Sequence, residues 1–497
     1  MRKEYDCLMV STIKKFIAKY RGLPVPVRAS FWFLISAFLQ RGISVISTPI
    51  FTRLLSTAEY GQYNVFNSWL GLVMVFVTLQ LYSGVFTQGM VKFEDRKYQY
   101  ASSLQGLCLT LVVFWTIVYF IFRNKWNALF GLTTVQMLAM ILMIWTSSVF
   151  SFWSVEQRVD FHYHKLVLVS IITSILKPVV GVVFVVLAKD KVTARILGLA
   201  LVELAAYTWM FFSQMRRGRM FYDKHFWKHA LMFNLPLIPH YLSMTVLNSS
   251  DRIMIKNMVG VEEAGIYSLA YSISQIMALF NTALLQTIEP WLYKKIKSKD
   301  IKDIEKVAYP AFLLIAGVNI LLIVFAPEVV SIFAPATYHN AIWIVPPVAM
   351  SVYFMFSYTF FAVFEFYYEK TKYVAIATVS GAMLNIVLNY IFIGKFGYYA
   401  AGYTTLICYI VFSLYHYYFM RKICKKEFLG EMPYKTSILL AITVAFMIGA
   451  FSILLLYKNC VGRYLLIVVL VLLMIVFRVK IIRQITGLLS LKKQRDY

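Results

Sequence analysis

The sequence predicts an all-α polytopic membrane protein with about 14 transmembrane helices. Three observations carry this. Sixty per cent of the 497 residues are hydrophobic and only 14% are charged, more apolar surface than a water-soluble fold of this length can hide. Apolar runs of about 20 residues recur from Ala29 almost to the end, each long enough to cross a hydrocarbon core of about 30 Å. The 49 Lys and Arg residues gather in the short connections between those runs. An outer-membrane barrel would show alternating segments of about ten residues instead.

The runs place spans at 29–52, 62–90, 101–122, 134–155, 166–188, 195–215, 231–256, 266–290, 308–333, 342–368, 373–394, 402–420, 436–457 and 464–480. With cations at span ends assigned to the nearer side, 36 Lys and Arg lie on the side of both termini, 10 on the other, and the remaining three within spans. The positive-inside rule then puts both termini in the cytoplasm. The net charge of +26 is thus a topology signal, and no nucleic-acid partner is expected.

Residues 1–28 read as a cytoplasmic amphipathic segment with no secretory signal. Ile13, Phe16, Ile17 and Tyr20 share one helical face, as a helix lying on the inner membrane surface would require. Ile481, Ile482, Ile485, Leu488 and Leu489 repeat the device in the tail. The outer connections are short, with no room for an external domain.

A five-residue pattern occurs twice, 204 positions apart. Glu59-Tyr60-Gly61-Gln62-Tyr63 follows span one, and Glu263-Ala264-Gly265-Ile266-Tyr267 follows span seven. This echo predicts two copies of a six-span unit in the same orientation, related by an axis along the membrane normal. The expected division is an N-lobe at 29–215, a cytoplasmic linker at 216–230, a C-lobe at 231–420, and spans 13 and 14 with a basic tail at 421–497. The Glu, Gly and Tyr of each copy are expected to shape a tight outer turn.

Polar stripes at helical spacing fall on the spans beside the two copies. Span one carries Ser36, Gln40, Arg41, Ser44 and Thr48; span two carries Gln80, Ser83, Gly84, Thr87 and Gln88. Span seven carries Asn234, Tyr241, Thr245, Asn248 and Arg252; span eight carries Ser268, Tyr271, Gln275, Thr282, Gln286 and Glu289. Helix–helix hydrogen bonding is one reading. A hydrated substrate cavity is the other, and four stripes flanking the repeat favour it. The cavity set is Gln40, Arg41, Gln80, Gln88, Lys177, Asn248, Arg252 and Gln275.

Arg41 lies near mid-span, where a charge is costly unless it faces a cavity or a partner. Lys177 in span five is equally deep. Glu203 in span six either pairs with Lys177 or titrates as a site for H+ or Na+ coupling. Asp251 is the second candidate for ion coupling. Arg252 reads equally as a substrate contact or a snorkelling residue, and Glu365 as a snorkelling residue at the inner end of span ten.

Enzyme signatures are absent. His162 and His164, and His225 and His229, lie in inner connections without clustered ligands, so no metal is expected. Neither a phosphate-binding loop nor a dinucleotide fingerprint occurs. The five cysteines form no CxxC or CxxxC pattern, and no cofactor is implied.

The stretch Leu54-Leu55-Ser56-Thr57-Ala58-Glu59-Tyr60-Gly61-Gln62-Tyr63 resembles the first outer loop of bacterial lipid-linked oligosaccharide flippases. These form the polysaccharide-transport branch of the multidrug/oligosaccharidyl-lipid/polysaccharide exporter superfamily. Asn234-Leu235-Pro236, Asn248-Ser249-Ser250-Asp251-Arg252 and Gly265-Ile266-Tyr267-Ser268 resemble its seventh span and following loop. Gly397-Tyr398-Tyr399-Ala400-Ala401-Gly402-Tyr403 is similar to its loop before span twelve. The resemblance implies two six-helix lobes in a V around a central cavity, plus two extra helices. It further implies translocation of undecaprenyl-diphosphate-linked oligosaccharide (O-antigen or capsule repeat units) across the bacterial cytoplasmic (inner) membrane. A polysaccharide polymerase and other assembly proteins are the implied partners, beside the bilayer. Arg41, Lys177 and Arg252 suit diphosphate or acidic sugars. The rival readings are a drug/cation antiporter of the same superfamily, a peptidoglycan-precursor flippase, and a membrane polysaccharide polymerase or ligase.

Overall fold

The computed structural model describes residues 25–476, 478 and 479. The two amphipathic terminal segments expected from the sequence lie outside these residues. The described chain is helical with short connections, and it holds no strand. The helices are α1 (Val25–Leu54), α2 (Thr57–Thr78), α3 (Gly84–Lys92), α4 (Lys97–Ile121), α5 (Arg123–Phe130), α6 (Thr134–Val159), α7 (Tyr163–Leu187), α8 (Lys191–Gly218), α9 (Lys224–Asn234) and α10 (Ile238–Met258). They continue with α11 (Val261–Ser274), α12 (Ile276–Lys297), α13 (Glu305–Val324), α14 (Ala326–Phe333), α15 (Val345–Tyr367), α16 (Thr371–Phe396), α17 (Tyr399–Glu427), α18 (Thr436–Leu455) and α19 (Cys460–Val476).

Eleven stretches among the described residues are long and apolar enough to cross a membrane, so this is a multi-pass membrane protein. Each coincides with one of the expected spans. The other three expected spans fall on α2–α3, α17 and α19, which are helical but short of that standard. The second is broken, and α17 carries His416, Arg421 and Lys422. In α19 only 17 residues are described. Helix starts follow local chemistry. Thr133 and Gln136 form a reciprocal capping box at α6, and the Asp190 and Asp223 carboxylates accept from the first-turn amides of α8 and α9.

By contacts the chain forms two compact units. Of the described residues, the first holds those up to Ser47 and Val73–Ile238; the second holds Thr48–Leu72 and those from Pro239. The stretch 216–230, expected as the linker, carries the end of α8 and much of α9, and the division falls beside the Leu235–Leu237 turn.

In the first unit a buried cluster of Leu81, Phe86, Tyr100, Phe152 and Phe226 joins α3, α4, α6 and α9. Below it, the Glu156 carboxylate is paired with Arg217 at 2.5 Å and accepts from Gln214. That network holds the end of α6 against α8.

Two features depart from expectation. Glu365 is not a snorkelling residue: it is fully buried and lies 2.8 Å from His416 Nδ1. The repeated Glu/Gly/Tyr pattern does not shape turns. Its glycines are the fifth residues of α2 and α11, and the two copies pack on one another in the second unit. A Cβ on Gly61 would strike the Val261 carbonyl and stand 2.8 Å from the Gly265 nitrogen. A Cβ on Gly265 would strike the Thr57 carbonyl and stand 3.1 Å from the Gly61 nitrogen. Residue 57 corresponds to 261 and 61 to 265 at the 204-residue offset, so the contact is its own mirror under the repeat. Only glycine lets two helix backbones approach this closely.

Candidate functional site

In the second unit, four helices converge on Asp251. Helix α10 supplies Asn248, Asp251 and Arg252, which fall on neighbouring faces because they stand three and four residues apart. Helix α11 supplies Tyr267 and Tyr271, α16 supplies Asn385 and Asn389, and α17 supplies Thr404 and Thr405. Asp251 is 2% exposed. Its Oδ2 accepts from Tyr267 (2.6 Å) and Thr405 (3.1 Å), and its Oδ1 accepts from Asn389 (2.5 Å). Thr404 donates to Asn389 Oδ1, and Ser250 donates to Asn385 Oδ1 at 3.0 Å.

No cation pairs with Asp251 among the described residues. Its hydrogen bonds come from neutral donors, Tyr267, Thr405 and Asn389, in a cluster of carboxylate, amide and hydroxyl oxygens. That donor set suits a proton or a hard cation such as Na+, and not a transition metal. No group of three or more His, Cys, Asp or Glu residues able to hold a metal occurs among the described residues.

Arg252 makes its own contacts beside this cluster. Its guanidinium lies over the Tyr271 ring at 4.4 Å and donates to the Asn248 carbonyl at 3.0 Å. Tyr271 donates to Asn248 Oδ1 at 3.3 Å. Gln275, at the interruption between α11 and α12, follows one turn after Tyr271. Asn248, Arg252 and Gln275 therefore share one neighbourhood, with Tyr271 at its centre. Cation–π contact holds the guanidinium in place without neutralising it.

The first unit separates the remaining predicted residues. Lys177 and Glu203 form an ion pair at 2.7 Å between α7 and α8. Thr146 and Ser147 of α6 also donate to Glu203, at 2.9 and 3.0 Å. Lys177 lies over the Tyr207 ring at 5.6 Å. Arg41 is exposed on α1, with no ion pair among the described residues. Gln40 donates to Ser36 of its own helix at 3.0 Å. Gln80 lies in the break between α2 and α3, and Gln88 is exposed on α3.

Sequence reasoning missed Asn385, Asn389 and Thr405 as partners of Asp251. The i,i+4 pair of asparagines in an otherwise apolar span was the available signal.

Solved structures of other proteins share this fold. The structure resembles an inward-facing multidrug resistance MATE family transporter of the MOP superfamily, with TM-score 0.58, 13% identity, and coverage of 79% of this chain and 96% of that one. It also resembles a MOP superfamily transporter from Pyrococcus furiosus Vc1 (DSM3638) described as having a binding pocket of reverse polarity, with TM-score 0.53, 15% identity, and coverage of 81% and 97%. At such identities the likeness is one of fold.

Residues 27–296 match the family described as polysaccharide biosynthesis protein, and the chain belongs to that family. It is 24% identical over 209 residues to the Lsg locus putative protein 1 of Haemophilus influenzae (strain ATCC 51907 / DSM 11121 / KW20 / Rd). That match spans 40% of this chain and about half (51%) of that relative's length. A second protein of that organism, an uncharacterized membrane protein, is 20% identical over 373 residues, covering 72% of this chain and 88% of its own length.

Proposed function

We propose that this protein is a flippase. It moves undecaprenyl-diphosphate-linked oligosaccharide repeat units across the cytoplasmic membrane by alternating access, for O-antigen or capsule synthesis. Both termini are cytoplasmic, and the chain works beside a polysaccharide polymerase and other assembly proteins. It has no catalytic role of its own.

The observation that carries this reading is the state of the intramembrane charges. The buried carboxylates of the spans already have protein partners: Glu203 has Lys177, Thr146 and Ser147, Asp251 has three neutral donors, and Glu365 has His416. Arg41 is unpaired among the described residues, and Arg252 rests on an aromatic ring. A drug/cation antiporter needs the opposite, a carboxylate free to meet its cargo. Unneutralised cations in a membrane favour an anionic substrate such as a diphosphate. Asp251 then serves as the coupling-ion site, taking H+ or Na+, while Glu203 is committed to its ion pair.

Deletion in the source organism tests the reading. Complete lipid-linked repeat units should accumulate facing the cytoplasm; normal surface glycan with altered drug tolerance would sink it. Arg41→Ala should lower export at least about tenfold with unchanged membrane abundance, as expected for losing a charge-assisted contact. Unchanged surface polysaccharide would remove Arg41 from the site.

A further inference from the structure

Span two breaks where no glycine or proline forces it to. Helix α2 ends at Thr78 and α3 begins at Gly84. Between them Leu79 and Gln80 both adopt left-handed backbone, with φ 49° and 52°. That conformation is unfavourable for residues with a Cβ, and two in succession require external support. Backbone released from a helix at membrane depth must also find partners within the protein.

Turn bonds inside the break supply part of this, Leu81 N–H to the Thr78 carbonyl at 3.1 Å and Ser83 N–H to the Gln80 carbonyl at 2.9 Å, and one distant side chain adds the rest. Asn234 closes α9, immediately before the Leu235–Leu237 turn. Its Nδ2 donates to the Leu79 carbonyl at 2.8 Å and to the Gln80 carbonyl at 2.8 Å. Asn234 is fully buried, as are Thr78 and Leu81 on either side of Leu79 and Gln80. Within the break, the Thr78 hydroxyl accepts from the Gln80 amide at 3.2 Å, and Ser83 donates to Gln80 Oε1 at 3.3 Å.

The break decides where Gln80 points. In an unbroken helix Gln80 would follow Phe76 by one turn, and Phe76 is 47% exposed. In the structure Gln80 is half-buried and bonded to Ser83. We infer that Asn234 is a positioning residue that holds the break in span two, so that Gln80 contacts the polar head of the transported lipid. This rests on the flippase reading. It assigns the Asn-Leu-Pro motif at the start of span seven a task in the first unit.

The test uses the full-length chain in the deletion strain, reading surface polysaccharide per cell against membrane abundance of the protein. Asn234→Ala should lower export at least about tenfold, the scale set by losing two buried hydrogen bonds. Adding Leu79→Gly should restore most of it, because glycine adopts the left-handed conformation without support. Gln80→Ala should be as defective as Asn234→Ala, and the double variant no worse than either. Additive losses, or export by Asn234→Ala at the wild-type level, would overturn the positioning role. The melting temperature of the purified variants gives a readout independent of substrate. Asn234→Ala should lower it and Leu79→Gly should recover it. If deletion leaves surface glycan unchanged, the flippase reading fails, while the melting series still decides whether Asn234 supports the break.

Discussion

Replacing Gly265 with Leu will separate α11 from α2 and abolish export. Even one added carbon meets backbone on the opposing helix, and backbone cannot move aside as a flexible side chain can. Gly61→Leu should do the same from the other side, because the contact is reciprocal. Each change is expected to cost about 2–4 kcal/mol, at the upper end for a single substitution. A fall in melting temperature of the purified protein, together with loss of surface polysaccharide, checks it. Gly317→Ala is the control: nothing lies within 4 Å of a Cβ there. A Gly265→Leu protein that melts and exports like wild type would show that the two helices do not need this approach.

Asp251→Asn will leave the fold standing and uncouple transport from its ion gradient. The amide matches the carboxylate in shape, and its oxygen can accept from Tyr267 and Thr405, while its Nδ2 faces the Asn389 donor, so one buried hydrogen bond is lost. It brings no charge to attract H+ or Na+. Export should fall about 10- to 100-fold, the scale of losing one charge-assisted interaction, and become insensitive to collapse of the proton or sodium gradient. Asp251→Ala should be less stable than Asp251→Asn, because it strands three buried partners at about 1–3 kcal/mol each. Full, ionophore-sensitive export by Asp251→Asn would remove this carboxylate from coupling.

Fold and site were unequally legible. Hydropathy is a local property, so the expected spans fall on helical stretches among the described residues. Interruptions were less visible: the break at Leu79–Ser83 has no Gly or Pro inside it, since Gly84 already begins α3. The repeated pattern was readable because its residues keep the same offset. Its role was not, because a turn and a close helix crossing both favour glycine. Lys177 and Glu203 were expected to sit about 6 Å apart in depth. Their pairing at 2.7 Å follows from lateral packing and the reach of a lysine, neither of which a depth estimate contains.

The sequence by itself determined that this chain crosses a membrane many times and that a five-residue pattern recurs 204 positions on. Those properties depend on composition and spacing along one dimension. Only the tertiary structure decided what each buried polar group meets. Asp251 finds Asn389 138 positions away and Thr405 154 positions away. Asn234 reaches back 155 positions to Leu79. Such partnerships depend on how each helix is rotated and where it crosses its neighbours, which the apolar periodicity of a fully embedded helix leaves undetermined.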